Sequence, residues 1–491
     1  MLLAVDNSWT FVRQASEEEL RWLNEFLSFE NTKAKWARSQ GYNVQDRVRL
    51  LRVRPNLDPT FPTGLLSTVE AGCGRAGFRV DKLELRAPMP EFDLSALREA
   101  PWEMVGAYAH QVDAIEQWLL GGPRMVAHPQ PGRGIIWAPT ASGKGRIAAG
   151  IAHAVPGRWL FAVHRGHLAL DVRGRWEKLT GTEAGFIGDG QWTEGERLTC
   201  ATLQSLYAAK GTPRYAGLVE RVTGVITDES HTAPAATFYS VLQSFRNARL
   251  RVGLSGTPLD RGDRRSMVAV GAIGPVVYRI LAKTLQDRGV LAVPTVRIVP
   301  VYQSLPDFCE WRQVYESLIC RSKHRNGAVL AAMAKAKAEG EVPGIVFVRS
   351  VDHGRTLTKL ANAQGITTKF VHGSATLPER KAACQQLESG RTDFIVATKV
   401  FTEGVDIPSL ATVINAQGGK SVIDTLQQIG RGMRVTKNKT TVTVWEFGDK
   451  GNPWTNSHAK ARVAACQREG YRCIVDHTLW PERATERTHH P

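Results

Sequence analysis

Ten short runs rich in β-branched and aromatic residues punctuate the chain between residues 134 and 415, with helix-like stretches between them. GIIWAP, WLFAVH, RLTCAT, GVITDE and RVGLSG form a first series; TVRIVPV, GIVFV, TKFVHG, DFIVAT and ATVIN form a second. Strands that alternate with helices cannot close as hairpins. They pair in parallel, and such sheets need helices on both faces. Two series therefore predict two α/β domains. Gly262, Gly271, Gly274, Pro275 and Gly289 fall between the series and place an interdomain linker within residues 261–294.

The first hundred residues follow another pattern. Ser16 precedes Glu17, Glu18 and Glu19 as a capping box, and Leu20, Leu23 and Leu27 continue at helical spacing. RVRLLRVRP alternates Arg47, Arg49, Arg52 and Arg54 with Val48, Leu50, Leu51 and Val53, which predicts one strand with a basic rim or a solvated strand face balanced by acids. With 491 residues, 43% of them hydrophobic and 22% charged, the chain has material for about three folded domains. The expected divisions are a small α+β domain over 1–99, α/β domains over 100–275 and 276–450, and a helical extension over 451–491.

Sixty-three Lys and Arg against 47 Asp and Glu leave a formal charge of +16, a balance that suits a polyanionic partner. The excess lies in the two middle divisions, because residues 1–100 hold 14 basic and 14 acidic side chains. Seven cysteines form neither a CxxC pair nor a His-interleaved metal spacing, which implies a reducing compartment. The opening MLLAVDNSW lacks a basic leader and no run reaches about 18 apolar residues, so the expectation is a cytoplasmic protein without a membrane span.

GIIWAP running into TASGKGRIAAGIAHA has the form of a phosphate-binding loop: a buried strand, a small-residue turn, a lysine and an Ala-rich helix. Thr140, Ala141, Ser142 and Gly143 let backbone N–H groups approach phosphate oxygens, while the helix N-terminus and Lys144 add positive potential. The usual pattern puts Ser or Thr after the lysine to hold Mg²⁺; here that residue is Gly145, so carboxylates and water carry more of the metal, with Thr140 or Ser142 as substitute hydroxyls. Downstream, GVITDESH ends an apolar run in Asp228 and Glu229, suited to Mg²⁺ coordination and water activation beside a triphosphate. Two acids at a strand end are ordinarily a solvated turn; the upstream loop favours the metal reading.

In order, APTASGKG (138–145), DESH (228–231), SGT (255–257), ATKVFTEGVDIP (397–408) and QQIGRGMR (427–434) resemble motifs I, II, III, V and VI of superfamily 2 DExH helicases. The resemblance implies two tandem RecA-like parallel-sheet motor domains preceded by a small α+β domain, with ATP and Mg²⁺ as cofactors. It implies catalytic roles for Lys144, Asp228, Glu229, His231, Arg431 and Arg434, the last two as arginine fingers from the second domain. Gln111 would read adenine, with a helix-start structural glutamine as the alternative. Gly404 and Asp406 would face ATP, and Ser255, Thr257 and Gln427 would couple the nucleotide to domain motion. His164, Arg165, Thr202, Gln204, His372, Gly373, Thr398 and Lys399 would touch a strand through its phosphates.

SEEELRWLNEFLSFEN, RVRLL and FPTGLLSTVEAG look like the small first domain of phage UvsW-type branched-DNA helicases, and LQQIGRGMR followed by TTVTVWEF looks like that family's second motor domain. That implies remodelling of forks, Holliday junctions, D-loops and R-loops by a monomer, with Arg47, Arg49 and Arg52 as phosphate contacts and an RNA–DNA hybrid as a further substrate. Three other readings share the core: a restriction-system motor, an ATP-gated DNA-binding or annealing module with weak hydrolysis, and an RNA helicase. The restriction motor would need a nuclease; Asp81, Glu84 and Arg86 in VDKLELR are a local lookalike without the usual lysine.

Overall fold

A computed structural model describes residues 1–31, 34–123, 128–228, 236–256, 266–305, 310–398, 407–436 and 438–478. Met1–Pro139 with Gly143–Ile280 form one unit, and Leu281–Pro491 with Thr140–Ser142 form the other.

The first unit carries two sheets of consequence. Near the N-terminus, five strands lie in the order Arg52–Arg54, Leu57–Pro62, Trp9–Arg13, Leu2–Val5, Asp81–Glu84. Helix Glu17–Phe26 covers them, and its Ser16–Glu19 capping box is complete: each side chain accepts from the other residue's backbone N–H. RVRLLRVRP is not one strand. Arg47–Arg49 pairs with Ser28–Glu30 in a separate two-stranded sheet, and Arg52–Arg54 forms the edge of the five-stranded one. The reason is local: Leu50 and Leu51 are both buried, and two successive inward side chains break the two-residue period.

The eight-stranded sheet runs Gln191–Trp192, Gly185–Gly188, Leu198–Thr202, Trp159–Val163, Gly224–Thr227, Leu250–Ser255, Arg133–Trp137, Val276–Arg279, parallel except for its two-residue first strand. Val276–Arg279 pairs with Arg133–Trp137, the strand that leads into the TASGKG loop, so this sheet passes residue 275, the expected domain limit. The small N-terminal sheet is joined to it by buried arginines. Arg133 donates to Asn7 O at 2.7 Å and Arg251 to Ser8 Oγ at 2.7 Å, both reaching the turn between the first two strands of the chain. Burial and the neighbouring Arg251 hold the Arg133 guanidinium well below its usual pKa, a cost met by carbonyl acceptors from Asn7 and Ala272.

The second unit holds a seven-stranded, wholly parallel sheet: Thr368–Val371, Phe394–Ala397, Gly344–Phe347, Thr412–Asn415, Thr441–Lys450, Val293–Tyr302, Arg472–Val475. Its core joins Val346, Val396, Ile414, Trp445 and Phe447 to Val329 and Met333 of helix Lys323–Ala338. SHAKARVAACQR lies in helix Pro453–Arg468, but the chain then returns as the edge strand Arg472–Val475, so the last segment is part of the sheet rather than only helical. Buried Arg462 anchors that helix through Glu446, at 2.9 Å.

Candidate nucleotide site

In parallel sheets, ligands bind outside the C-terminal ends of the strands. Three neighbouring strands of the first sheet bring predicted residues to that edge. Arg133–Trp137 leads into the TASGKG loop, Leu250–Ser255 ends at Ser255, and Gly224–Thr227 ends just before Asp228. The register pairs Ser255 with Trp137 and Thr227 with Gly253, and Ala138 N donates to Ser255 O at 3.0 Å. The loop and the SGT segment are thereby tied at their bases.

The loop backbone takes unusual conformations. Ala141 has φ +68° and Gly143 has φ +90°; Gly143 then caps helix Lys144–Ala154 with no side-chain cap, its carbonyl accepting from Arg146 N at 2.8 Å and Ile147 N at 3.0 Å. A Cβ on Gly143 would overlap the Gln111 amide nitrogen, so glycine is required twice over. Gln111 sits in the first turn of helix His110–Leu120 and is 2% exposed. Ser142 is buried and Thr140 half-buried. Lys144 Nζ turns back onto the loop, donating to Ala138 O at 3.3 Å and Pro139 O at 3.2 Å. Those carbonyls hold the ammonium against the base of the loop.

Gly145 lies in the first turn of the helix without a hydroxyl. A Cβ there would stand 3.4 Å from Arg175 Nε, on helix Gly166–Thr180, and that nitrogen is buried without a hydrogen-bond partner among the described residues. Burial holds the Arg146 guanidinium below its usual range, Glu103 and Tyr108 offset part of this, and Arg175 adds to the depression. Sequence reasoning missed Arg175, because nothing in DVRGRWEK distinguishes it from a solvated helical arginine. For the metal, partly exposed Asp228 is the carboxylate at the edge; Glu229 and His231 lie outside the described residues, among which no group of three metal-ligating side chains forms. Thr257, Lys399, Gly404 and Asp406 also lie outside them.

Most candidate strand contacts in this unit share the edge. His164 and Arg165 follow Trp159–Val163, and Thr202 ends Leu198–Thr202. Thr202 also has a structural duty, since its Oγ1 accepts from Ser205 N at 3.3 Å as a helix cap, while Gln204 is exposed in the helix that follows. Arg47 is engaged with Ser28 Oγ at 2.7 Å and Arg49 is exposed. Arg52 stacks over Trp9 at 4.1 Å, in a cleft also lined by Arg13, Arg54 and Arg246. Asp81–Glu84 is an exposed edge strand whose Glu84 pairs with Arg86, as a strand with surface charges would.

In the second unit, His372 and Gly373 follow Thr368–Val371, and buried Thr398 follows Phe394–Ala397, its N–H donating to Val371 O at 3.2 Å. His372 Nδ1 and Ser374 Oγ are 2.9 Å apart, and Gly373 O accepts from Arg380 at 3.3 Å. Gln427 and Arg431 lie on helix Val422–Gly432, which Ser421 caps; Arg434 follows its end, and its backbone bridges to Leu291.

Residues 105–260 match the family described as "Type III restriction enzyme, res subunit", and residues 327–436 match "Helicase conserved C-terminal domain". A protein described as helicase 22 of Sulfolobus islandicus filamentous virus (isolate Iceland/Hveragerdi) is 27% identical over 356 residues, 67% of this chain and 62% of its own length. The ATP-dependent DNA helicase uvsW of Enterobacteria phage T4 is 27% identical over 231 residues, 46% of this chain and 45% of its own. The chain thus spans less than two thirds of either relative. A solved fragment assigned to the HsdR subunit of a type I restriction enzyme from Vibrio vulnificus YJ016 shares the fold with a TM-score of 0.55 at 19% identity, covering 74% of this chain and 67% of the fragment. With both motor-domain families matched in order, over the segments that carry the five motifs, the chain belongs to the superfamily 2 helicases.

Proposed function

We propose that this chain is an ATP-dependent DNA helicase or translocase that remodels branched DNA, such as forks and four-way junctions, in phage-type recombination, replication and repair. The observation that carries the ATP-dependent part is the meeting of the Lys144 loop, Asp228 and Ser255 at the C-terminal edge of three adjacent strands. Lys144 and the first-turn amides hold the triphosphate, Asp228 with water holds Mg²⁺, Glu229 orients the attacking water, and Arg431 and Arg434 stabilise charge on the transferred phosphoryl group. The phage relative named as a DNA helicase supports DNA as the strand that is moved. The sequence resemblance of the first domain to UvsW-type helicases supports branched substrates, as do Arg52, Arg54 and Arg246 beside Trp9, in a cleft that Asp6 and Asp58 also line.

The test is ATP hydrolysis and strand separation with single-stranded, duplex, forked and four-way DNA. Forked and four-way DNA stimulate most, and Lys144→Ala and Glu229→Gln abolish both activities. Unwinding that survives in both variants excludes the assigned site, and stronger stimulation by equivalent RNA forks replaces DNA with RNA. ATP-dependent affinity changes without phosphate release would indicate a binding module. A restriction motor is the second reading, favoured by the family description over residues 105–260. Divalent-dependent DNA cleavage, by the chain or with a partner nuclease, would establish it.

A further inference from the structure

Lys439 lies between helix Val422–Gly432 and strand Thr441–Lys450. Its Nζ donates to three backbone carbonyls: Gly432 O at 2.7 Å, Leu410 O at 2.8 Å and Pro408 O at 3.0 Å. An ammonium has three N–H bonds, and each finds an acceptor. The acceptors come from two places. Pro408 ends the segment resembling motif V and Leu410 follows it, whereas Gly432 is the last residue of helix Val422–Gly432, between Arg431 and Arg434. Carbonyls at a helix C-terminus lack intrahelical donors and sit at the negative end of its dipole, so a cation is favoured there. The same helix end is held from another side, where Ala292 N donates to Met433 O at 2.8 Å.

We propose that Lys439 is a positioning residue for ATP turnover, clamping the end of the motif V segment to the end of the helix that presents Arg431. The clamp acts through backbone placement and touches no nucleotide. An arginine that must meet a transferring phosphoryl group is sensitive to displacements of about 1 Å, which cost roughly a hundredfold in rate. The inference rests on the proposed ATPase reading and adds to it a residue outside the motifs.

The experiment compares the intact chain with Lys439→Met, Lys439→Arg, Arg431→Ala and the Lys439→Met/Arg431→Ala double variant, measuring DNA-stimulated kcat, KM for ATP, nucleotide affinity and melting temperature. Lys439→Met is expected to lower kcat by roughly ten- to a hundredfold, with KM and nucleotide affinity within about twofold of the parent. Lys439→Arg, which keeps the charge and donors, recovers part of the rate. The double variant is no slower than Arg431→Ala, because both changes remove the same contribution. Unchanged kcat in Lys439→Met, or multiplicative losses in the double variant, overturns the clamp. Should Lys439→Met fail to fold, Lys439→Gln, which loses the charge and one donor and is shorter, decides: a lower kcat with parental nucleotide affinity supports the clamp, and a parental kcat rejects it. Absence of hydrolysis in the parent chain is a separate outcome that removes the ATPase reading itself.

Discussion

Gln111 stands over Gly143 so closely that a Cβ on the glycine would overlap its amide nitrogen, and the glycine's φ of +90° independently disfavours any other residue. Gly143→Ala must therefore push the amide away and strain the loop, at a cost of about 1–3 kcal/mol. ATP binding should weaken by about tenfold or more, read by titration with a fluorescent nucleotide. Gln111→Ala removes the overlap but not the strain, so Gly143→Ala should remain impaired in that background. Parental ATP affinity in Gly143→Ala would show that the loop does not hold the triphosphate.

Gly145 leaves the helix's first turn without the hydroxyl that the motif usually supplies, while the space beside it admits a Cβ in ordinary contact with Arg175 and Val172. Gly145→Ser should therefore fold at least as well as the parent, since serine is a better helix former than glycine by a few tenths of a kcal/mol. It should also lower the Mg²⁺ concentration that gives half-maximal hydrolysis severalfold. An unchanged Mg²⁺ requirement would mean that this position does not face the metal.

The strand–turn–helix around TASGKG and the two parallel sheets were legible for a local reason. Strands covered on both faces read as unbroken apolar runs, and the loop's residues are contiguous. What was not legible depends on partners far away in sequence. Val276–Arg279 is an edge strand within a glycine-rich stretch that looks like linker, and Arg472–Val475 follows a helix at the other sheet's edge. Leu50 and Leu51 disguise two strands as one because both are apolar and both point inward. The approach of Arg175 to Gly145 crosses from one helix to another, and the three carbonyls around Lys439 belong to segments seven and about thirty residues earlier. No spacing rule reaches such relationships.

Arg431 lies in the last turn of helix Val422–Gly432. If its guanidinium meets charge that develops only during phosphoryl transfer, Arg431→Ala should lower DNA-stimulated kcat by about a thousandfold or more while KM for ATP changes little. Arg431→Lys should recover little, because a compact ammonium lacks the planar fork that engages two oxygens. A parallel rise in KM with unchanged kcat would make the residue a binding contact and refute the transition-state role.

Asp476 follows the final edge strand with its carboxylate 7% exposed, accepting from Lys335 Nζ at 2.8 Å and Thr478 N at 3.0 Å, with Arg297 at 3.6 Å. Burial alone would raise its pKa, but the hydrogen bonds from Lys335 and Thr478 outweigh burial and bring it down to about 2. Since the folded pKa lies below the unfolded value of about 4, the unfolded chain binds the proton first as pH falls. The stabilisation, on the order of 2 kcal/mol, is complete above about pH 5 and lost progressively toward pH 2. Asp476→Asn should lower the melting temperature at pH 7, and the gap from the parent should shrink as pH falls through 4 toward 2. A gap that stays constant across that range would mean that the Asp476 carboxylate does not hold this edge strand through its charge.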